Sequence, residues 1–154
     1  MAYVHIAHDC QIGNNVILAN NVNLAGHVII EDYAILEGLV AVQQFTQIGA
    51  HSFIAGASLV RKSVPPYVKA AREPLSYAGI NSVGLNRRGF TEDEIRTIQD
   101  IYRILFVKGT NMTQSLADVE TTFDISPERD TILEFIRKAD RGIMRGFQQI
   151  NDKK

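Results

Sequence analysis

Residues 5–60 decide the fold, and in groups of six they read HIAHDC QIGNNV ILANNV NLAGHV IIEDYA ILEGLV AVQQFT QIGAHS FIAGAS LV. The second position of each group, from Ile6 to Val60, is always Ile, Leu or Val. The sixth position, from Cys10 to Ser58, is always small or β-branched. Apolar positions in a helix recur at intervals of three and four residues, so a period of six residues argues against a helix. A hexapeptide repeat predicts a parallel β-helix, in which short strands alternate with tight corners.

The repeat also predicts which side chains lie close together. Three groups form one triangular coil of about 18 residues, so we expect about three coils stacked ~4.8 Å apart. Residues three groups apart should then lie directly above one another. Gly13, Gly49 and the asparagines near the corners suit turns that need a positive φ. The predicted corner columns are His8–Gly26–Gln44, Asn20–Gly38–Gly56 and Asn15–Tyr33–His51.

The repeat is expected to stop at Pro65 and Pro66, because neither residue can donate a ladder hydrogen bond. Residues 65–90 are predicted to form an extended connector with a short helix that Asn81 caps. Residues 1–64 would then be the hexapeptide-repeat β-helix.

A small helical domain is predicted for residues 91–154. Thr91 and Glu94 form a capping box at its start, and Gly109 ends the first helix. A second helix is expected from Thr113, and a third from Ser126 with a proline at its first position. Gly142 and Gly146 are expected to loosen the end of the chain, and its last residues to fray. The predicted fold class is mainly β plus α, a β-helix followed by a helical domain.

Bulk properties exclude several classes of protein. The net charge of −1 gives no general attraction to nucleic acid or to a membrane surface. The single cysteine, Cys10, rules out an intrachain disulfide and is interpreted as a packed thiol. No stretch reaches the roughly 18 apolar residues of a membrane span, and no signal peptide is visible, so the sequence predicts a cytoplasmic protein. The chain opens almost directly inside the repeat. We therefore expect a C-terminal portion of a longer protein, or another chain that covers the first coil.

Four motifs carry a resemblance to a known family. They are His5-Ile6-Ala7-His8-Asp9-Cys10, Ile17-Leu18-Ala19-Asn20-Asn21, Leu24-Ala25-Gly26-His27-Val28 and Leu85-Asn86-Arg87-Arg88-Gly89-Phe90. The chain resembles the C-terminal portion of the UDP-N-acetylglucosamine O-acyltransferases of lipid A biosynthesis.

The resemblance implies a left-handed β-helix in a homotrimer. It implies an enzyme that moves a 3-hydroxyacyl chain from acyl carrier protein to the 3-hydroxyl of UDP-N-acetylglucosamine, the first step of lipid A biosynthesis. No metal and no cofactor is implied, apart from the phosphopantetheine that carries the acyl donor.

Acyl transfer from a thioester needs a base, a donor for the oxyanion and a groove for the chain. His8 is the candidate base, because a neutral imidazole nitrogen can accept a proton. The resemblance implies that the backbone N–H of Gly26 stabilises the oxyanion. Gly38 and Gly56 leave a flat strip on which a hydrocarbon chain could lie. The candidate substrate-binding residues, for the sugar nucleotide and the acyl carrier protein, are His5, His27, Gln44, Asn81, Arg87 and Arg88.

The chain departs from the family pattern at two positions. Gln43 stands where the family often has histidine, and Val83 stands where it tends to have glutamate. The resemblance also implies that the carboxylate orienting the catalytic histidine comes from upstream coils.

Three other functions remain as alternatives. A zinc enzyme like the γ-type carbonic anhydrases pools three histidines, but His51 lies on a different column from the other histidines. A non-catalytic trimerisation scaffold is the second alternative, and an acyl-transfer assay with and without upstream coils separates it from an enzyme. The third is a related hexapeptide N-acyltransferase of the same pathway. The Ala25-Gly26-His27 and Arg87-Arg88 motifs favour the O-acyltransferase over it.

Overall fold

A computed structural model describes residues 1–109, 111–144 and 146. The repeat forms ten strands of two residues each, and each strand carries the predicted inward Ile, Leu or Val. The strands are β1 His5–Ile6, β2 Gln11–Ile12, β3 Ile17–Leu18, β4 Asn23–Leu24, β5 Ile29–Ile30, β6 Ile35–Leu36, β7 Ala41–Val42, β8 Gln47–Ile48, β9 Phe53–Ile54 and β10 Leu59–Val60.

Every third strand pairs in parallel, which produces the three flat faces of a β-helix. His5 pairs with Asn23, Asn23 with Ala41, and Ala41 with Leu59. The second face contains β2, β5 and β8, and the third contains β3, β6 and β9. The predicted three-group register is confirmed.

The two inward columns of the repeat fill the interior. From Val22 to Val60 every member of both columns is buried, including Thr46, Ser52 and Ser58 of the smaller column. The first coil differs, because no described coil lies beneath it: Ile6 is 47% exposed and Ile12 39%.

The corners repeat a left-handed backbone at the fifth position of each group. Ten non-glycine residues have φ between 56° and 65° there, from Tyr3 to Ala57. The expectation of positive φ holds for Asn15 and Asn21 but is wrong for Gly13 and Gly49, which occupy the third position instead. A Cβ on Gly49 would collide with the backbone of Pro65 and Pro66, so that glycine is needed for packing.

The prediction that the coil stops at the proline pair is wrong. Beyond it, β11 (Val68–Ala71) pairs in parallel with β9, so that Lys69 lies beside Phe53. This last coil is two residues shorter than the others, and Val64 makes the ladder contact with Ile48. Strand β12 (Ser76–Ile80) then folds back antiparallel on β11. The register of the last coil therefore shifts between Val60 and Val64, and the prolines that follow do not end the pairing.

Three of the four α-helices begin at the predicted caps, whereas α3 was expected from Thr113 and begins at Met112. Asn81 caps α1 (Ser82–Arg87), and Thr91 with Glu94 forms the capping box of α2 (Glu92–Tyr102). A π-helical segment, Arg103–Lys108, continues α2 to Gly109, where the sequence predicted regular α-helix. The last two helices are α3 (Met112–Thr122) and α4 (Pro127–Lys138). Asn111 caps α3 and Ser126 caps α4.

Contacts from Tyr102 and from the segment after α4 join the helical domain to the β-helix. The buried Tyr102 hydroxyl donates to the carbonyl of Pro66 at 2.5 Å. After α4, Gly142 turns the chain with φ 74°, and Ser63 pairs with Ile143. The segment after α4 is therefore anchored as far as residue 144, contrary to the expected loosening at Gly142. The predicted fraying falls on residues outside the described part of the chain.

The division at residues 64 and 90 stays a prediction. Among residues 1–109, 111–144 and 146, no helix combines the length and apolar character that a membrane crossing needs.

Candidate active site

The column His8–Gly26–Gln44 forms one corner of the β-helix, between the first and second faces; we call it corner one. The His27 N–H donates to the His8 carbonyl at 3.0 Å, and the Phe45 N–H donates to the Gly26 carbonyl at 3.2 Å. The predicted vertical alignment is therefore present. A Cβ on Gly26 would lie 2.6 Å from His8 Cε1 and 2.7 Å from Nε2, so the imidazole lies against the bare glycine.

A carboxylate within the chain orients His8. Asp9 Oδ2 lies 2.8 Å from His8 Nδ1 and 3.6 Å from His27 Nε2. The hydrogen bond with His8, and then the charge of His27, lower the pKa of Asp9 below its ordinary value. The expectation that the orienting carboxylate of the family comes from upstream coils stays a prediction. Asp9 occupies the left-handed corner position, which turns its side chain back towards its neighbour.

The amide of the fourth position in a group points outward. Asn14 N–H donates to Asp32 Oδ1 at 2.7 Å, Ala50 N–H to Glu31 Oε2 at 2.9 Å, and Gly56 N–H to Glu37 Oε2 at 2.9 Å. Gly26 occupies the same position in its group. In the described part of the chain, no acceptor is found for its N–H. Gly26 is buried with the His8 ring against it, so this amide, which has no protein acceptor in that part of the chain, is not open to solution.

Aromatic stacking extends corner one towards the helical domain. The ring of His27 meets that of His8 edge-on at 5.1 Å and stacks on Phe45 at 4.8 Å. The guanidinium of Arg141 lies 5.0 Å from the centroid of Phe45. His27, Phe45 and Arg141 line one side of a cleft of about 460 Å³, which Asp9 also lines. Corner one is therefore open to a ligand and carries a cation at its far side.

The predicted residues Asn81, Arg87 and Arg88 lie at a different corner, between the second and third faces; we call it corner two. Arg88 Nη1 lies 3.3 Å from His51 Nδ1, and Asn81 Nδ2 donates to the His51 carbonyl at 3.0 Å. The ring of His51 stacks on Tyr33 at 4.9 Å, and Arg88 also lies over Tyr33. Burial and the adjacent Arg88 lower the pKa of His51 to about 4, so this imidazole is neutral at pH 7.

A second cleft, of about 320 Å³, opens beside corner two. Asn81, Arg87 and Arg88 line it, together with Lys69 and Phe53 of the third face. The Lys69 ammonium lies 5.6 Å from the centroid of Phe53. Three cations around one concave surface favour a phosphate-bearing ligand.

The remaining candidates, Gly38 and Gly56, stack at the third corner. A Cβ on either glycine would come no closer than 3.4 Å to other atoms. His5 lies on the first face, exposed, in β1. One chain therefore brings His8, Gly26, His27 and Gln44 together, and holds the arginines and the stacked glycines elsewhere.

A family model described as domain 2 of UDP-N-acetylglucosamine O-acyltransferase matches residues 64–144, which is more than half of the chain. A model of the bacterial transferase hexapeptide repeat matches residues 1–26. This chain belongs to the UDP-N-acetylglucosamine O-acyltransferase family. The resemblance found in the sequence is confirmed.

Curated relatives of the UDP-N-acetylglucosamine O-acyltransferase family match almost the whole chain. An acyl-acyl-carrier-protein–UDP-N-acetylglucosamine O-acyltransferase of Burkholderia orbicola is 43% identical over 149 residues, covering 94% of this chain and 57% of the relative. A protein of the same description from Aliivibrio salmonicida is 46% identical over 142 residues, covering 92% of this chain and 54% of the relative. The chain thus spans little more than half the length of these relatives.

Solved structures of UDP-N-acetylglucosamine acyltransferases have the same fold. The enzyme from Bacteroides fragilis superposes with a TM-score of 0.91 at 43% identity, over 93% of this chain and 56% of that one. The enzyme from Francisella novicida gives a TM-score of 0.90 at 43% identity, over 94% of this chain and 53% of that one. The Arabidopsis enzyme gives a TM-score of 0.87 at 37% identity, over 92% of this chain and 53% of that one. The β-helix with appended helices is therefore the fold of this acyltransferase family.

Four residues of these sites were missed in the sequence: Asp9, Phe45, His51 as a partner of Arg88, and Arg141. Asp9 and Phe45 occupy the fifth position of their groups, so the repeat itself carried a signal for them. Nothing in the local sequence connects Arg141 to Phe45, because that contact depends on the turn at Gly142 and the pairing of Ile143.

Proposed function

We propose that this chain provides the acyl-transfer site of a UDP-N-acetylglucosamine O-acyltransferase. The reaction would move a 3-hydroxyacyl chain from acyl carrier protein to the sugar 3-hydroxyl, at the start of lipid A biosynthesis. The observation that carries the proposal is the arrangement at corner one, where Asp9 contacts Nδ1 of His8 and the ring lies against Gly26. The names of the relatives supply the substrates, and a cytoplasmic location stays a prediction.

His8 is the proposed general base. With the proton of Nδ1 donated to the Asp9 carboxylate, Nε2 is the unprotonated nitrogen and accepts the proton of the sugar hydroxyl. The oxygen then attacks the thioester carbonyl carbon, and the tetrahedral oxyanion accepts a hydrogen bond from the Gly26 N–H. Collapse breaks the carbon–sulfur bond, and His8 returns the proton to the leaving phosphopantetheine thiol.

The cations of the two clefts are proposed to bind the substrates. Arg87 and Arg88 would hold the diphosphate or the acidic surface of acyl carrier protein, with Asn81 beside the nucleotide. His5, His27 and Gln44 would contact the sugar and the acyl donor. The acyl chain would lie along Gly38 and Gly56, where little side-chain bulk stands in its way.

We further propose that the working form is a homotrimer, with each site shared by two chains. Corner one holds the base and corner two holds the arginines, and the second face separates them within one chain. A second copy could place its corner two against corner one. The third face also presents an outward apolar column for such contacts, Ile17, Ile35 and Phe53.

A thioester-release assay tests the proposed reaction. The purified chain is mixed with UDP-N-acetylglucosamine and 3-hydroxyacyl carrier protein, beside His8→Ala and the control Asn14→Ala. Asn14 occupies the same position in the next group but lies away from corner one. We expect sugar-dependent thiol release that His8→Ala abolishes and Asn14→Ala keeps. Release that persists in His8→Ala would remove that residue from the base role, and a chain without any release would favour the scaffold alternative.

Mixing two inactive variants tests the shared site. In a trimer reassembled from equal amounts of His8→Ala and Arg88→Ala, about a quarter of the interfaces pair an intact His8 with an intact Arg88. About a quarter of wild-type activity should therefore return. Sedimentation of the chain as a monomer, or no recovery after confirmed mixing, would contradict this arrangement.

A further inference from the structure

Corner one also holds a set of atoms suited to a metal ion. One nitrogen of His8, one of His27 and one carboxylate oxygen of Asp9 all lie within 4.8 Å of one another. The side chains of His8 and Asp9 are about two-thirds exposed, and that of His27 is 42% exposed. In the part of the chain that the structure describes, no other group of three such residues comes together.

The chemistry of this set fits Zn²⁺. Zinc binds imidazole nitrogen and carboxylate oxygen at about 2.0–2.2 Å, so ligand atoms around a tetrahedral ion lie about 3.4 Å apart. The His27–Asp9 separation of 3.6 Å already matches that spacing. The His8–Asp9 separation of 2.8 Å must open slightly, and the two imidazoles must approach each other. Rotation of exposed side chains is sufficient for both changes.

The surroundings limit how far these ligands can move apart. His8 and Asp9 are adjacent in the chain, and the His27 N–H donates a hydrogen bond to the His8 carbonyl at 3.0 Å. The pairing of two coils therefore fixes the distances between the backbone atoms of these three residues. The stack on Phe45 orients the ring of His27. We propose that His8, Asp9 and His27 form a Zn²⁺ site, in which water completes the coordination. The sequence predicted no metal, and the inference departs from that prediction.

Zinc at this site would act as an inhibitor. Coordination of His8 through Nδ1 displaces Asp9 from its orienting hydrogen bond and leaves the ring proton on Nε2. An imidazole in that form cannot accept the proton of the sugar hydroxyl. This consequence rests on the proposed function, whereas metal binding itself does not.

Binding is tested with Zn²⁺ by calorimetry and with Co²⁺ by its visible absorption, both on the whole chain at pH 7.5. The variants are Asp9→Asn and His27→Asn, because asparagine tolerates the left-handed backbone that both positions require. The control is His5→Asn, which removes an exposed histidine of the first face outside the ligand set. Circular dichroism verifies that each variant keeps the fold.

We expect one Zn²⁺ per chain, binding at least about tenfold weaker in both variants and unchanged in the control. Absence of binding in the wild-type chain, or equal binding in the folded variants, would overturn the site. In the acyl-transfer assay, Zn²⁺ should inhibit and a chelator should restore the rate. A chain that binds zinc at these residues but transfers no acyl group would disprove the proposed function and leave the metal site standing.

Discussion

Substitution of Gly26 by alanine tests the contact between His8 and Gly26. The added Cβ would lie 2.6 Å from His8 Cε1, whereas two carbon atoms in contact need about 3.5 Å. The imidazole must therefore shift by about 0.9 Å. A misplacement of that size lowers the rate about 100-fold, or about 2.7 kcal/mol in the activation free energy. Alanine keeps the backbone N–H, so the loss would report on the histidine and not on the oxyanion donor.

Stability should change little in the same variant. Gly26 does not have a positive φ, so alanine can adopt its backbone conformation. Alanine also lowers the conformational entropy of the unfolded chain, which stabilises the folded state by up to about 1 kcal/mol. The exposed side chain of His8 can rotate away without leaving a cavity. We therefore expect an unchanged or slightly raised Tm together with the lower rate.

The measurements are kcat in the acyl-transfer assay, thermal unfolding, and the NMR resonances of the His8 ring. Gly38→Ala is the control for the fold and the resonances, because its Cβ would meet no atom closer than 3.4 Å, the Asn20 carbonyl oxygen. Only Gly26→Ala should move the His8 resonances. A Gly26→Ala protein with the wild-type rate and unshifted His8 signals would refute the proposed contact and its role.

Three further predictions follow from the other corners and from the Asp9 contact. Asp9→Asn should lower kcat about 10- to 100-fold with little change in KM, because the imidazole loses the partner that fixes its tautomer; an unchanged kcat would exclude the positioning role. The pKa of His51 is about 4 in the folded chain against 6.5 unfolded, so its contribution to stability is present above about pH 6.5 and is lost as the pH falls towards 4. After a discount for the partial exposure of His51, this contribution is at most about 2 kcal/mol. When the free energy of urea unfolding is plotted against pH, the plot should be less steep between pH 6.5 and 4 for His51→Asn than for the wild-type chain. Equal steepness in the two proteins would contradict the pKa assignment. Gly56→Met should shift donor preference to shorter acyl chains, and identical relative rates across a series of acyl-carrier donors would rule that out.

The period of six was enough to predict the coil, its register and the vertical alignment of His8 with Gly26. Each group repeats the same two inward side chains, and backbone pairing then forces residues three groups apart into one column. The helix starts were also readable, because Thr91 with Glu94 and Ser126 with Pro127 satisfy the first amides of a helix from adjacent sequence.

The failures concern the end of the coil and two local backbone conformations. The proline pair was interpreted as the end of the coil, yet the prolines pack against Gly49 and β11 pairs with β9 of the third face, in a register shifted by two residues. The continuation of α2 as a π-helical segment had no signal in the local pattern. A positive φ was assigned to glycines, whereas the repeat places it at the fifth position whatever residue stands there.

By itself, therefore, the sequence determined the β-helix, the caps of three helices and the column that carries His8, because each depends on spacing along one chain segment. Only the tertiary structure decided that His51 contacts Arg88 and that the guanidinium of Arg141 lies over the ring of Phe45. It also decided that the base and the arginines lie at different corners. These relations depend on how the helical domain folds back on the coils, and no local propensity encodes that packing.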